Sequence, residues 1–296
     1  MSSSLTSLTR EITIYSGIPI FIAGIVGGCL NSIVFLSLRT FRENSCAFYL
    51  MILSVTNVGQ LFAGLFSRLL FTGFSIDWTQ TSLFFCKFRP FLIYVTALIS
   101  SSCLCLATID QYFATCTRLR WQQWCNIKLA HRLVIIASII SLLEQFPSLA
   151  FYHHTISPIN QQIICSIASQ EFTKFNNYFT VLILWFIVPL IFTVVFASLA
   201  YRNVQQLAYR TQPLIRRELD KQLTVMVLVH VLVNFLVLLP NIVLYLLLMN
   251  DSLKSDPGIF SRINFAYTIS LLTYYAAFSV SDGLSNCRSL AYLVLV

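Results

Sequence analysis

The sequence predicts an all-α fold, a bundle of seven transmembrane helices, on three observations. Apolar residues make up 57% of the chain and charged ones only 10%. Seven apolar stretches are each long enough to cross a hydrocarbon core about 30 Å thick, which takes about 20 residues as helix. The lysines and arginines between them alternate in density from one connection to the next. Lipid offers no partner to a free backbone group, so each stretch has to close its own hydrogen bonds as helix.

The first stretch runs from Thr13 to Leu38. Arg10 ahead of an apolar run, with Gly27, Gly28 and Cys29 near a plausible cleavage position, also has the outline of a signal peptide. The run continues through Asn31 to Leu36, however, far past a signal core. The other six are Ala47 to Phe71, Phe85 to Cys116, Leu129 to Phe151, Phe175 to Tyr201, Gln222 to Met249 and Ile263 to Val280. Together they take roughly 180 of the 296 residues and leave no room for a separate soluble domain. What remains is a short segment 1–12, short connections and a tail 281–296. Short connections make consecutive helices antiparallel neighbours. Gly27, Gly28 and Asn31 in the first span, Ser54 and Asn57 in the second and Ser100 to Ser102 in the third allow close approach and bonding between helices. Pro147, Pro189 and Pro240 each interrupt a backbone ladder within a span and predict kinks in the fourth, fifth and sixth helices.

The net charge of +8 is a topology signal rather than a nucleic-acid footprint. The odd-numbered connections hold Arg39 and Arg42, then Arg118, Arg120, Lys128 and Arg132, then Arg202, Arg210, Arg216, Arg217 and Lys221. The even side has Arg10, Lys174, Lys254 and Arg262, with Arg68, Lys87 and Arg89 near helix ends. Basic residues collect in cytoplasmic connections. A multi-pass plasma-membrane protein with its N-terminus outside and its C-terminus inside is therefore expected. On that topology seven of nine cysteines lie in spans or on the reducing side, and only Cys86 and Cys165 face the oxidising side. They make one possible disulfide, tying the loop from Tyr152 to Lys174 across the third helix; two free thiols are the alternative. The sequon Asn250-Asp251-Ser252 abuts the sixth span, too near the membrane for ready glycosylation.

From Ile12 to Val280 the chain resembles a rhodopsin-like G-protein-coupled receptor. Leu30-Asn31-Ser32-Ile33-Val34 is similar to the first-helix Gly-Asn-x-x-Val element without its Gly, and Leu53-Ser54-Val55-Thr56-Asn57 to the second-helix Leu-x-x-x-Asp with Asn for Asp. Cys86 stands 25 residues before Gln111 of Asp110-Gln111-Tyr112, the spacing from the family's disulfide Cys to the Arg of its Asp-Arg-Tyr triplet. Trp78 matches the outer-loop Trp, and Pro189 and Pro240 match the fifth- and sixth-helix prolines. The resemblance implies a Cys86 to Cys165 disulfide, an extracellular ligand and a heterotrimeric G protein on the inner face. Asp110, Gln111 and Tyr112 would carry the switch, with Asp220 as the sixth-helix acid.

Several family features are missing. Ala137 stands where the fourth-span Trp would be, Leu238 where the sixth-helix Trp would be, Asn234 where its aromatic partner would be and Ala197 where the fifth-helix Tyr would be. No Asn-Pro-x-x-Tyr occurs, and the ending Leu290 to Val296 is apolar, so the tail reads as truncated or mis-spliced and a receptor-like protein that no longer signals is an alternative. Gln111 carries no charge, so the triplet restraint is reduced to a hydrogen bond, and Asp110 could instead pair with Arg118 or Arg120 at the wet interface. Asn57 lacks the charge of the family's sodium ligand and reads as a structural group bonded to Asn31; no metal or cofactor is expected.

Ligand class follows by exclusion. The aspartate of amine receptors is replaced by Ile93, and no lysine for a retinal Schiff base lies between Ile263 and Val280. Arg68, Arg89, Tyr94, Glu144, Gln145, Tyr267, Tyr274 and Tyr275 remain near the outer cavity, a wide aromatic rim that suits a peptide, most simply a neuropeptide. The arginines could also snorkel to the interface, whereas a carboxylate such as Glu144 deep in an apolar span has a partner or a function. Internal repeats of a transporter are not seen, and His131, His153, His154 and His230 are too scattered for an intramembrane metalloenzyme.

Overall fold

The computed structural model describes residues 2–37, 39–116, 118–156, 163–207, 214–249, 253 and 257–295; the sequon at Asn250 and the side chain of Asp220 lie outside the described part. Seven long helices follow one another: α1 (Ser2–Ser37), α2 (Ser45–Gly73), α3 (Leu83–Thr115), α4 (Ile127–Gln145), α5 (Gln170–Gln205), α6 (Leu214–Met249) and α7 (Pro257–Leu295). Short polar residues start several of them. Asn44 and Asn126 accept from backbone N–H groups of the first turns of α2 and α4, and Ser169 does the same for α5. Among the described residues, six helices are long and apolar enough to cross a membrane. The seventh, α7, carries Tyr267, Thr268, Ser270, Thr273, Tyr274 and Tyr275 in one run and completes the bundle by packing chiefly on α1 and α6.

Large apolar side chains such as Ile22, Val26 and Ile33 stand exposed along the outward faces, the surface a lipid solvent requires. Inward-facing residues form two layers. Phe35, Tyr49, Leu50, Cys103, Leu223 and Val227 fill the layer nearest the α1–α2 turn. Leu61, Leu65, Leu238, Ile242, Tyr274 and Phe278 fill the other.

Three features depart from the sequence expectation. A β-hairpin, β1 (Tyr152–Ile156) and β2 (Ile163–Ile167), pairs antiparallel with His154 opposite Cys165 between α4 and α5. Wide π-type turns run over Leu61–Phe66 and Leu69–Gly73 in α2 and over Phe175–Ile187 in α5. Pro147 ends α4 rather than bending it, leaving a single further turn at Ser148–Phe151. At Pro189 the π-type stretch of α5 gives way to regular helix, and Pro240 lies within an unbroken α6. At the ends, α1 begins at Ser2, well before Thr13, and Arg10 Nε donates to Gly73 O at 2.8 Å, which docks the extension on α2. Helix α7 likewise continues past Val280 to Leu295, through the residues that the sequence reading set apart as a short divergent tail.

Close helix approach is steepest at Gly64, where an added Cβ would stand 2.0 Å from Tyr275 Oη. At Gly59 the nearest atom would be Thr96 Cγ2 at 3.2 Å. Gly64→Ala is therefore expected to destabilise by roughly 1–3 kcal/mol as Tyr275 is forced aside, and Gly59→Ala by less. Thermal unfolding of the purified variants checks the order; a Gly64→Ala melting temperature equal to or above that of Gly59→Ala contradicts it.

Candidate functional site

A cavity of about 270 Å³ opens at the hairpin end of the bundle. Helix α2 lines it with Gln60, Gly64 and Arg68, four residues apart and so on one face. The two π-type stretches flank Arg68, and such turns re-aim side chains at functional positions. Helix α3 supplies Cys86, Arg89, Ile93 and Tyr94, α6 supplies Asn241 and Tyr245, and α7 supplies Tyr267, Tyr274 and Tyr275. Tyr152 and Cys165 of the hairpin border it, because the Cys86–Cys165 disulfide (Cα–Cα 5.6 Å) draws β2 onto α3. His154 Nε2 lies 2.8 Å from Thr79 O, a second tether.

The polar groups of the wall are held across helices. Arg68 Nη2 donates to Thr268 Oγ1 at 2.8 Å, and its guanidinium lies over the Tyr267 ring, 5.6 Å from the centroid. Arg89 Nε donates to Ser67 Oγ at 2.7 Å. Both arginines thus turn into the bundle instead of snorkelling. Tyr274 Oη donates to Gln60 Oε1 at 2.8 Å, and Tyr245 Oη to Asn177 Oδ1 at 2.8 Å. Burial and the neighbouring Tyr94 raise the Tyr152 hydroxyl well above the ordinary phenol value, so it remains a protonated donor at neutral pH.

Of the eight side chains placed near the outer cavity, Arg68, Arg89, Tyr94, Tyr267, Tyr274 and Tyr275 line this one cavity, and so does Ile93. Glu144 and Gln145 do not: Glu144 accepts from Thr180 Oγ1 of α5 at 2.5 Å and from its neighbour Gln145 Nε2. The partner expected of a membrane carboxylate is thus a hydroxyl between α4 and α5. Gln60, Trp185, Asn241, Tyr245 and the hairpin residues were not legible as cavity groups. The spacing of Gln60, Gly64 and Arg68 was the available signal for α2, and Asn241 was a lone amide following Pro240 in an apolar run. The missing sixth-helix aromatic is compensated from elsewhere. Trp185 of α5 meets Tyr274 edge-on at 6.0 Å, and both rings border a second, smaller cavity that also holds Asn57, Ser100, His230 and Asn234.

Asn57 is bonded differently from the sequence expectation. Ser100 Oγ donates to Asn57 Oδ1 at 2.8 Å, whereas Asn31 Nδ2 donates to Ser54 Oγ at 2.6 Å. At the opposite end, Asp110 is buried and accepts from Ser45 Oγ of α2 at 2.9 and 2.8 Å, while Arg118 and Arg120 are exposed. The one Ser45 hydroxyl hydrogen is shared between the two carboxylate oxygens. Gln111, also buried, reaches α6 through Thr224 Oγ1, which donates to Gln111 Oε1 at 2.8 Å. Tyr112 packs against Phe196 of α5 and Trp121.

Cys165→Ser and Cys86→Ser are expected to destabilise equally, by roughly 2–5 kcal/mol, because each opens the same 79-residue link. Non-reducing peptide mapping reads the linkage directly, and two separately alkylated cysteines would refute it.

No curated protein matches the chain. The profile of the 7 transmembrane receptor (rhodopsin family) matches residues 30–279, from the end of α1 into α7. Taken with the seven-helix bundle and the hairpin tied by disulfide to α3, that match makes this chain a member of the rhodopsin family of seven-transmembrane receptors, a multi-pass membrane protein.

Proposed function

We propose that the chain is a plasma-membrane receptor for a peptide, most simply a neuropeptide, that enters the cavity from outside and signals to a heterotrimeric G protein at the opposite end. The hairpin end is then extracellular, as the density of Lys and Arg in the odd connections favours. The observation that carries the ligand reading is the cavity wall: two arginines and five tyrosines, Tyr94, Tyr152, Tyr245, Tyr267 and Tyr275, with Tyr274 at the floor and no carboxylate for an amine. Its volume falls just under the roughly 300–1,000 Å³ of small-ligand sites. That suits the end of a chain, with the remainder lying along the exposed strand residues Ile156 and Ile163. No lysine of α7 is available for retinal between Ile263 and Val280, and Ile93 cannot pair with an ammonium.

The expected outcome is a response to peptide pools in cells, read by calcium or cyclic nucleotide, and none to biogenic amines. A potent response to an amine alone would overturn the ligand reading. Epitope tags at the two ends, stained before and after permeabilisation, test orientation; a C-terminal tag visible on intact cells reverses it.

The Gln111 to Thr224 bond supports a resting restraint on α6 that is neutral, and a neutral bond is about half as strong as a charge-assisted one. Coupling is therefore expected to be weak or its resting bias shifted. Losing a bond of about 1 kcal/mol moves a two-state equilibrium about fivefold. Gln111→Ala should raise basal signalling by that order, and Gln111→Arg should change basal or agonist-driven output by several-fold, at matched surface expression. Equal output from all three chains removes the role given to Gln111.

A further inference from the structure

Among the described residues, the fully buried side-chain atoms of the outer cavity that lack a partner are all donors. Gln60 and Asn241 are each only 3% exposed, and Gln60 Nε2, Asn241 Nδ2 and Arg68 Nε have no hydrogen-bond partner. All three side chains line the same cavity, together with Arg89. Three acceptors beside them are already engaged: Gln60 Oε1 by Tyr274, Thr268 Oγ1 by Arg68 and Ser67 Oγ by Arg89. Among the described residues neither guanidinium has an ion-pair partner, and no Asp or Glu lines the cavity. Glu144, the nearest candidate by sequence, is turned to Thr180.

Burying cationic and amide donors without acceptors is costly, by about 1–3 kcal/mol for each neutral group and more for a charge. Among the described residues the receptor tolerates that arrangement in this cavity, and a ligand supplying lone pairs there would relieve it. We propose that Arg68 and Arg89, with Gln60 and Asn241, form an anion subsite that takes a carboxylate of the ligand. A planar carboxylate matches the guanidinium fork, and its second oxygen can accept from an amide. Tyr267, stacked against Arg68, fixes the plane of the fork before the ligand arrives. In a peptide the carboxylate is either the free C-terminus or an Asp or Glu side chain. This assignment rests on the peptide reading of the same cavity, but the subsite can be tested without it.

Two measurements on the full-length receptor, purified in lipid nanodiscs, separate the two readings. The first uses phenylglyoxal, which modifies accessible guanidiniums, with mass spectrometry at each arginine. Benzoate is expected to slow modification of Arg68 and Arg89 several-fold relative to its uncharged analogue benzamide, and to leave Arg262 unchanged. Equal protection by the two, or protection by neither, overturns the subsite. The second uses synthetic tetrapeptide pools made as free acids or C-terminal amides, each with and without one Glu, and reads thermal stabilisation. Stabilisation by both free-acid pools and by neither amide identifies the C-terminal carboxylate, and stabilisation by both Glu-bearing pools and not by the Glu-free acid identifies the side chain. In both cases Arg68→Gln or Arg89→Gln should weaken the response about ten- to a hundredfold, the range of a lost charge-assisted hydrogen bond, with partial rescue by Lys. Retention of full affinity in both Gln variants overturns the subsite even where peptides bind. Binding of peptides regardless of charge overturns the subsite and keeps the peptide reading. Protection by benzoate with no peptide bound does the reverse.

Discussion

Helix α2 bonds to its neighbours along almost its whole length, and the rest of the bundle is registered on those bonds. Ser45 reaches Asp110 of α3, Ser54 accepts from Asn31 of α1, and Asn57 accepts from Ser100 of α3. Further along, Gln60 accepts from Tyr274 of α7, Ser67 accepts from Arg89 of α3, and Arg68 donates to Thr268 of α7. In lipid, apolar faces do not distinguish one rotation of a helix from another, since lipid tails are as apolar as leucine. Each interhelical bond contributes only about 0.6–2 kcal/mol, so orientation comes from their number and order rather than from any single one. In the second half of α2 the four-residue spacing of Gln60, Gly64 and Arg68 keeps them on one face, with the π-type turns on either side of Arg68.

The same helix links the two ends of the molecule. Tyr274, bonded to Gln60, meets Trp185 in the partition between the large cavity and the smaller polar one. A bulky pair drawn from α5 and α7 thus occupies the zone where other family members rely on aromatic residues of the sixth helix, here Leu238 and Asn234. At the far end the contacts are neutral or one-sided: hydroxyl to carboxylate at Ser45 and Asp110, hydroxyl to amide at Thr224 and Gln111. The Thr224 to Gln111 contact joins two uncharged groups, so it holds its geometry with little dependence on ionic strength.

Hydropathy and charge order made the helices legible, because span length and the alternation of basic connections reflect the bilayer directly. The family resemblance did the same for the disulfide, through Cys86 and its distance to Gln111. Of the cavity, the arginines and tyrosines could be found because charged or hydroxylated side chains are conspicuous in apolar runs. Glu144 was equally conspicuous but faces Thr180, and composition does not record which way a helix is turned. The hairpin escaped because its two strands are five residues each, their pairing is non-local, and Tyr152 sits directly against the end of a helical stretch. The π-type turns have no marker in residue type. Asn57 was assigned to the wrong neighbour for a similar reason: two polar groups at matching depth in adjacent helices need not share a face.

The pairing of α1 with α7 also gives assembly of the bundle an order. The hydroxyl-rich α7 is the least apolar of the seven helices, and its contact with α1 is among the most extensive between any two of them. Ser279 Oγ donates to Ile20 O at 3.1 Å, and Gly24 leaves no room for a methyl group beside Leu61 and Ser279. α1 is made before α7, so the contact between them can close only after the five helices between them have been made. Closure of the ring then gives the Ser279 hydroxyl, which lipid cannot satisfy, its partner on α1.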